Sequence, residues 1–218
     1  MATKYKISIP IIIALLVSIL TFSSTTAPNI VDKESTTALK NPLISVYSEN
    51  IRIQQWKHYY TSVDNSSLNN VHGREFYTYP IVQSLLKNGI PMERAEIYAM
   101  LPEIESKWNI RAVSNKGAIG LWQIMGPTAR RFHFKEIDMY DPVLATKCAT
   151  QYLTYLDSLF SGDVAAVLFS YNGGESGVKS LAKKYKTDNV WMIAFSTQET
   201  HEFAPKVLGA WLCKKERQ

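Results

Sequence analysis

Glu105 is the residue of this 218-residue chain best placed to move a proton. It closes an amphipathic stretch, Pro91 to Trp108, that reads as a helix. At about 100° per residue, Ile97, Leu101, Ile104 and Trp108 share one apolar face, and Glu96, Ala99 and Glu103 fall opposite, toward solvent. Glu105 falls beside Tyr98 and Leu101, at the border of the apolar stripe. A carboxyl group there is partly desolvated, which favours its neutral form and raises its pKa. An acid still protonated near neutral pH is what general acid catalysis requires. A glutamate at such a border is more commonly a solvated or ion-paired surface group, so the helix alone does not assign the role.

Three later segments carry residue types that folding alone does not ask for. Glu105-Ser106 leads into Gly117-Ala118-Ile119-Gly120-Leu121-Trp122-Gln123-Ile124, where the glycines permit a tight turn or a close approach to a ligand. Ser170-Tyr171-Asn172-Gly173-Gly174 ends one helix, and Gln198-Glu199-Thr200 begins another. Gln123, Tyr171 and Asn172 offer amide and phenol groups suited to sugar hydroxyls and acetamido groups. Trp122 is either an apolar wall for a sugar ring or an aromatic of the core. Tyr171-Asn172-Gly173-Gly174 taken singly reads equally well as a helix end and turn.

The elements that must position these groups are helical. Ile81, Leu85 and Leu86 mark a helix beginning near Glu75 and stopped by Asn88-Gly89. Pro91 opens the helix that carries Glu105, and Pro102 inside it should kink it or remove a hydrogen bond. Pro127 opens a short helix through Phe132. Asp141-Pro142 caps a helix over 143–160, Asp163 caps one over 164–170, and others span 175–185 and 198–212. No stretch alternates at period two, so the expected fold is all-α, a compact bundle of about seven helices.

Composition is that of an ordinary globular protein, 46% hydrophobic and 20% charged, with a net charge of +5. Residues 1–27 hold Lys4 and Lys6 and no acidic residue, so the remainder carries +5 − 2 = +3. The order of those residues, two lysines, an apolar run from Ile7 to Leu20 and then small polar residues, is that of an export signal. It reads either as a cleaved signal peptide or as an N-terminal membrane anchor, and places the chain in the periplasm or cell envelope. Residues 28–75 read as a linker or arm with one local helix near 51–60, and 76–218 as the functional domain. Cys148 and Cys213 form a disulfide or remain as two small buried thiols. The four histidines lack metal-ligand spacing and no phosphate loop is present. No metal, nucleotide cofactor or nucleic-acid partner is expected.

Together the three segments resemble the lytic murein transglycosylases of glycoside hydrolase family 23, whose catalytic domain is goose-type-lysozyme-like, and most closely the membrane-bound lytic murein transglycosylase D subgroup. The resemblance covers about 76–213 and includes Pro127-Thr128-Ala129 and Glu199-Thr200. It implies a lysozyme-like helical domain with a groove for peptidoglycan glycan strands. It assigns the acid to Glu105, the glutamate directly before Ser106, and not to Glu103. Gln123, Tyr171 and Asn172 match groove positions, and Ser106 and Glu199 match supporting ones. Ser170 and Phe203 depart from a common Ala and a common Tyr. In this family a single carboxylate acts first as acid and then as base, the substrate's acetamido group stabilises the charged ring, and a 1,6-anhydromuramic end results. Hydrolysis by water, or strand binding without cleavage, are the competing readings.

Overall fold

The computed structural model describes residues 42–62, 71–195 and 197–217. The export signal and the first part of the expected linker lie outside these residues. The helices are α1 (Pro42–Ser48), α2 (Ile51–Ser62), α3 (Val71–Lys87), α4 (Met92–Tyr98), α5 (Leu101–Ser106), α6 (Gly126–Arg131), α7 (Pro142–Leu159), α8 (Val164–Gly173), α9 (Glu175–Tyr185) and α10 (Gln198–Glu216). Short 3₁₀ turns occupy Glu136–Tyr140 and Val190–Met192. The described chain is all-α apart from one two-stranded antiparallel ribbon, β1 (Ala118–Ile119) and β2 (Ile124–Met125), with Ala118 opposite Met125. The ribbon is too short to show a period of two in sequence.

The caps read from sequence are in place. Asp141 accepts from the amides of Val143 and Leu144, and Asp163 from that of Ala166, so both helices begin with side-chain acceptors on their first free donors. α8 is apolar all round, with Val164 to Ser170 buried, and serves as the axis of the core. α10 lies against it and against α2. Gly209 makes the second approach possible: a Cβ there would sit 2.7 Å from the Lys57 nitrogen and from the Trp56 Cβ. The segment expected as a linker therefore holds two helices, and α2 packs along α10 with Ile53 fully buried.

The helix expected over 91–108 is two helices. It breaks at Ala99-Met100, just ahead of Pro102, whose missing N–H leaves the Tyr98 carbonyl without its helical donor. The helix is interrupted there, so a single wheel does not describe both halves. Ala99 and Glu103, expected to face solvent, are buried at 2% and 7% exposure. The charge of Glu103 helps push the Tyr60 phenol of α2 upward, after burial, the larger cause. Glu96 is partly buried and pairs with Lys215 of α10 at 2.6 Å.

A second carboxylate fixes α4 to α7. Asp157 accepts from Arg94 through both oxygens, at 2.9 and 3.0 Å, and from the Tyr98 hydroxyl at 2.8 Å. Cys148 and Cys213 are two free, buried thiols, and burial pushes the Cys148 thiol up to about 11. No helix of the described residues is long and apolar enough to cross a membrane.

Candidate active site

A groove of about 800 Å³ opens between the segment 114–125, the end of α8 and the walls of α2 and α10. Glu105 lies in it, one residue from the end of α5. The helix stops there because Lys107 and Trp108 both turn left-handed, at φ 51° and 64°, and their amides bond back to Glu103 and Pro102. Side chains rarely adopt that conformation in succession. The turn ends the helix directly after the carboxylate, and Trp108 is returned to the core.

Glu105 is half-buried, with its carboxyl at the groove wall. Burial raises its pKa to about 8, the charge of Glu199 adds to the shift, and Lys206 opposes it. Desolvation is the dominant cause, in line with the sequence pattern. At neutral pH the group is mostly the neutral acid.

Ser106 does not line the groove. Its hydroxyl donates to the Leu121 carbonyl at 2.8 Å and approaches that of Pro102 at 3.2 Å, tying α5 to the glycine-punctuated segment. That segment is fixed further by Gly120, at φ 73°, where any Cβ would collide with the Met139 carbonyl. Gln123 is also left-handed, at φ 46°. Its Nε2 donates to the carbonyls of Gly120 (2.9 Å) and Ala112 (3.2 Å), so both amide hydrogens are engaged within the loop. The side-chain oxygen is the atom left for a ligand. Trp122 is fully buried with its Nε1 donating to Thr146, which makes it a core residue and removes it as a sugar platform.

Tyr171 and Asn172 belong to the last turn of α8 itself, beyond the expected helix end at 170. The Tyr171 hydroxyl donates to the Trp122 carbonyl at 2.7 Å. Burial pushes this phenol well above its usual range, and the charge of Glu105 adds to the effect. Asn172 accepts at Oδ1 from Thr200 at 2.9 Å, which leaves its amide nitrogen as the free donor side and joins the end of α8 to the start of α10. Glu199 is exposed on the groove rim and pairs with Lys116 at 3.1 Å.

Of the other wall, the sequence reading names only Phe203. Trp56 of α2 and Glu202, Phe203 and Lys206 of α10 line the groove alongside Glu105. Trp56 Nε1 donates to Glu202 at 2.9 Å, and the Lys206 ammonium lies 5.4 Å from the Trp56 ring centre. The signals that point to this wall are the aromatic run Trp56, Tyr59 and Tyr60, and a glycine, Gly209, in the middle of a helix.

Residues 86–193 match the transglycosylase SLT domain, the stretch that carries Glu105, Gln123 and Tyr171-Asn172. That stretch is a transglycosylase SLT domain. It is 32% identical over 170 residues to membrane-bound lytic murein transglycosylase D of Escherichia coli K12, covering 74% of this chain and 36% of that one. It is 31% identical over 142 residues to membrane-bound lytic murein transglycosylase C of Yersinia enterocolitica, covering 57% and 39%. The chain thus spans little more than a third of the length of these curated relatives. The X-ray structure of an inactive mutant of lytic transglycosylase Slt from Pseudomonas aeruginosa superposes with a TM-score of 0.52 over 63% of this chain and 24% of that one, at 22% identity. That likeness establishes the fold. The α2 and α10 wall lies outside the stretch matched to the SLT domain.

Proposed function

We propose that this chain is a peptidoglycan lytic transglycosylase that cleaves the N-acetylmuramic acid to N-acetylglucosamine β-1,4 bond, with Glu105 as acid and then base. The observation that carries the reading is a carboxyl held neutral by burial, at about 8, on the wall of a groove. Such a group protonates the glycosidic oxygen as the bond breaks and charge develops on the muramic ring. The substrate's acetamido group stabilises that charge. Glu105, now ionised, takes the proton of the 6-hydroxyl as this oxygen attacks the anomeric carbon. A 1,6-anhydro ring forms, no water is consumed, and Glu105 is again protonated.

Gln123 presents an acceptor to the strand and Asn172 a donor. Ser106 acts through the loop it holds, as a positioning residue rather than a binding one. The SLT-domain match and the names of the relatives support a cell-envelope location, with residues 1–27 directing export or anchoring the chain.

One observation favours a second reading. Glu199 lines the same groove and its charge reaches Glu105, so a two-carboxylate hydrolysis of the same bond is available. Mass spectrometry of soluble products from purified peptidoglycan separates the two. Fragments ending in 1,6-anhydromuramic acid are expected, whereas reducing ends, heavier by one water, would establish hydrolysis. Glu105→Gln should lower the rate by about a thousandfold or more. A rate near wild type in that variant overturns the assignment.

A further inference from the structure

We infer that Lys206 is a specificity residue that receives a carboxylate carried on the muramic sugar of the strand. This rests on the transglycosylase reading above and adds to it the feature by which the groove distinguishes its polymer from other β-1,4-linked N-acetylated sugars.

The surroundings of the ammonium come first. Lys206 is half-buried in the third turn of α10 and lines the groove with Glu105. It forms no ion pair with any described residue. The other lysines along this wall differ: Lys215 pairs with Glu96, and Lys57 with Glu216. None of the groove's carboxylates forms an ion pair with Lys206. Glu199 pairs with Lys116, and Glu202 accepts the Trp56 indole N–H. Glu105 holds its proton at neutral pH.

Without a counter-ion among the described residues, the Lys206 charge gains no ion-pair stabilisation from the fold. Its stem is nonetheless held, because the ammonium lies over the Trp56 ring and Trp56 is fixed in turn by Glu202. The arrangement presents a fixed positive charge to whatever occupies the groove. A polymer of N-acetylglucosamine alone offers no anion to it. A muramic ring does, through the lactyl carboxylate where the stem peptide is absent, or through the first free carboxylate of the stem where it is present. Charge-assisted hydrogen bonds of this kind are the stronger class and discriminate well, since the wrong ligand leaves the charge unmet.

The test uses the full chain carrying Glu105→Gln, which binds without cutting and removes any effect of Lys206 on the Glu105 proton. Affinity is measured by calorimetry for strand fragments of defined length, stem-free and stem-bearing, each with free carboxylates and with these converted to carboxamides. Amidation should weaken binding about tenfold. Adding Lys206→Met, which keeps the apolar stem over Trp56, should cost the same factor on acidic fragments and nothing on amidated ones. Lys206→Arg should retain the preference. A loss on stem-free fragments identifies the lactyl carboxylate, and a loss on stem-bearing fragments alone identifies the stem. Equal effects of Lys206→Met on acidic and amidated fragments, or none on either, overturn the inference. Failure of the underlying reading is seen separately, in the products released by the unsubstituted chain.

Discussion

Asp157 and Glu105 are both carboxylates withdrawn from solvent, and they keep contrasting company. Asp157 meets a bidentate guanidinium and a phenol, so each of its oxygens has a donor and the charge is neutralised where it lies. Glu105 meets another carboxylate, a lysine that does not pair with it, and a groove wall, and burial shifts it toward the neutral form. The difference is one of partners rather than of residue type. Burial with a matched partner joins α4 to α7. Burial without one leaves a proton that can be given away. The second arrangement costs stability, which is the usual relation between a fold and its reactive groups.

The largest expected effect on stability comes from breaking the matched pair. Asp157→Ala leaves Arg94 partly buried without its anion and the Tyr98 hydroxyl without its acceptor. The side chains of Asp157 and Arg94 are 10% and 26% exposed, so water softens the loss. The expected cost is about 3 kcal/mol in denaturant unfolding. The pH dependence of cleavage should keep its shape, because Asp157 does not touch the groove. A shifted pH profile with unchanged stability would reverse the roles assigned to the two sites.

The unmatched carboxyl should behave in the opposite way. The folded-state pKa of Glu105, about 8, lies above its unfolded value of 4.5, so the folded chain binds the proton more tightly. The stability this group contributes is fully present below pH 4.5 and is lost as pH rises toward 8. Glu105→Gln should therefore unfold like the parent at pH 4 and be more stable by roughly 1–2 kcal/mol near pH 8, after allowance for partial solvent contact. Cleavage by the parent should fall as pH rises through about 8, as the acid form disappears. A variant no more stable than its parent at pH 8 would mean that Glu105 is matched after all.

Much of this contrast is legible in the order of the amino acids. The Leu101 to Glu105 spacing sets Glu105 at the border of the apolar stripe, and Asp141 and Asp163 announce helix starts, because both features depend on neighbours within a few residues. What stays hidden depends on distant ones. A single wheel puts Glu103 in solvent because it assumes one uninterrupted helix through Ala99-Met100, and because nothing near Glu103 in sequence reports that Tyr60, distant in the chain, lies close enough to feel its charge. Trp56 and Lys206 lie in the groove only because Gly209 lets α2 come close to α10. A glycine in mid-helix is unfavourable enough to ask for such a reason, although it does not name the partner. Tyr171 and Asn172 stand out by residue type but are placed past the helix end, since the two following glycines read as an earlier stop.

Ser106 sharpens the comparison at its smallest scale, because it adjoins Glu105 yet behaves like Asp157. Its hydroxyl is committed to the Leu121 carbonyl, and Leu121 is fully buried. Ser106→Ala would leave that carbonyl without its donor, at a cost of about 1 kcal/mol in unfolding free energy. The loop bearing Gln123 hangs from the same contact, so kcat should fall severalfold while KM holds, since no direct contact with the strand is lost. A rise in KM with unchanged stability would instead place Ser106 on the substrate, and the line between matched and unmatched groups would have to be drawn one residue further along α5.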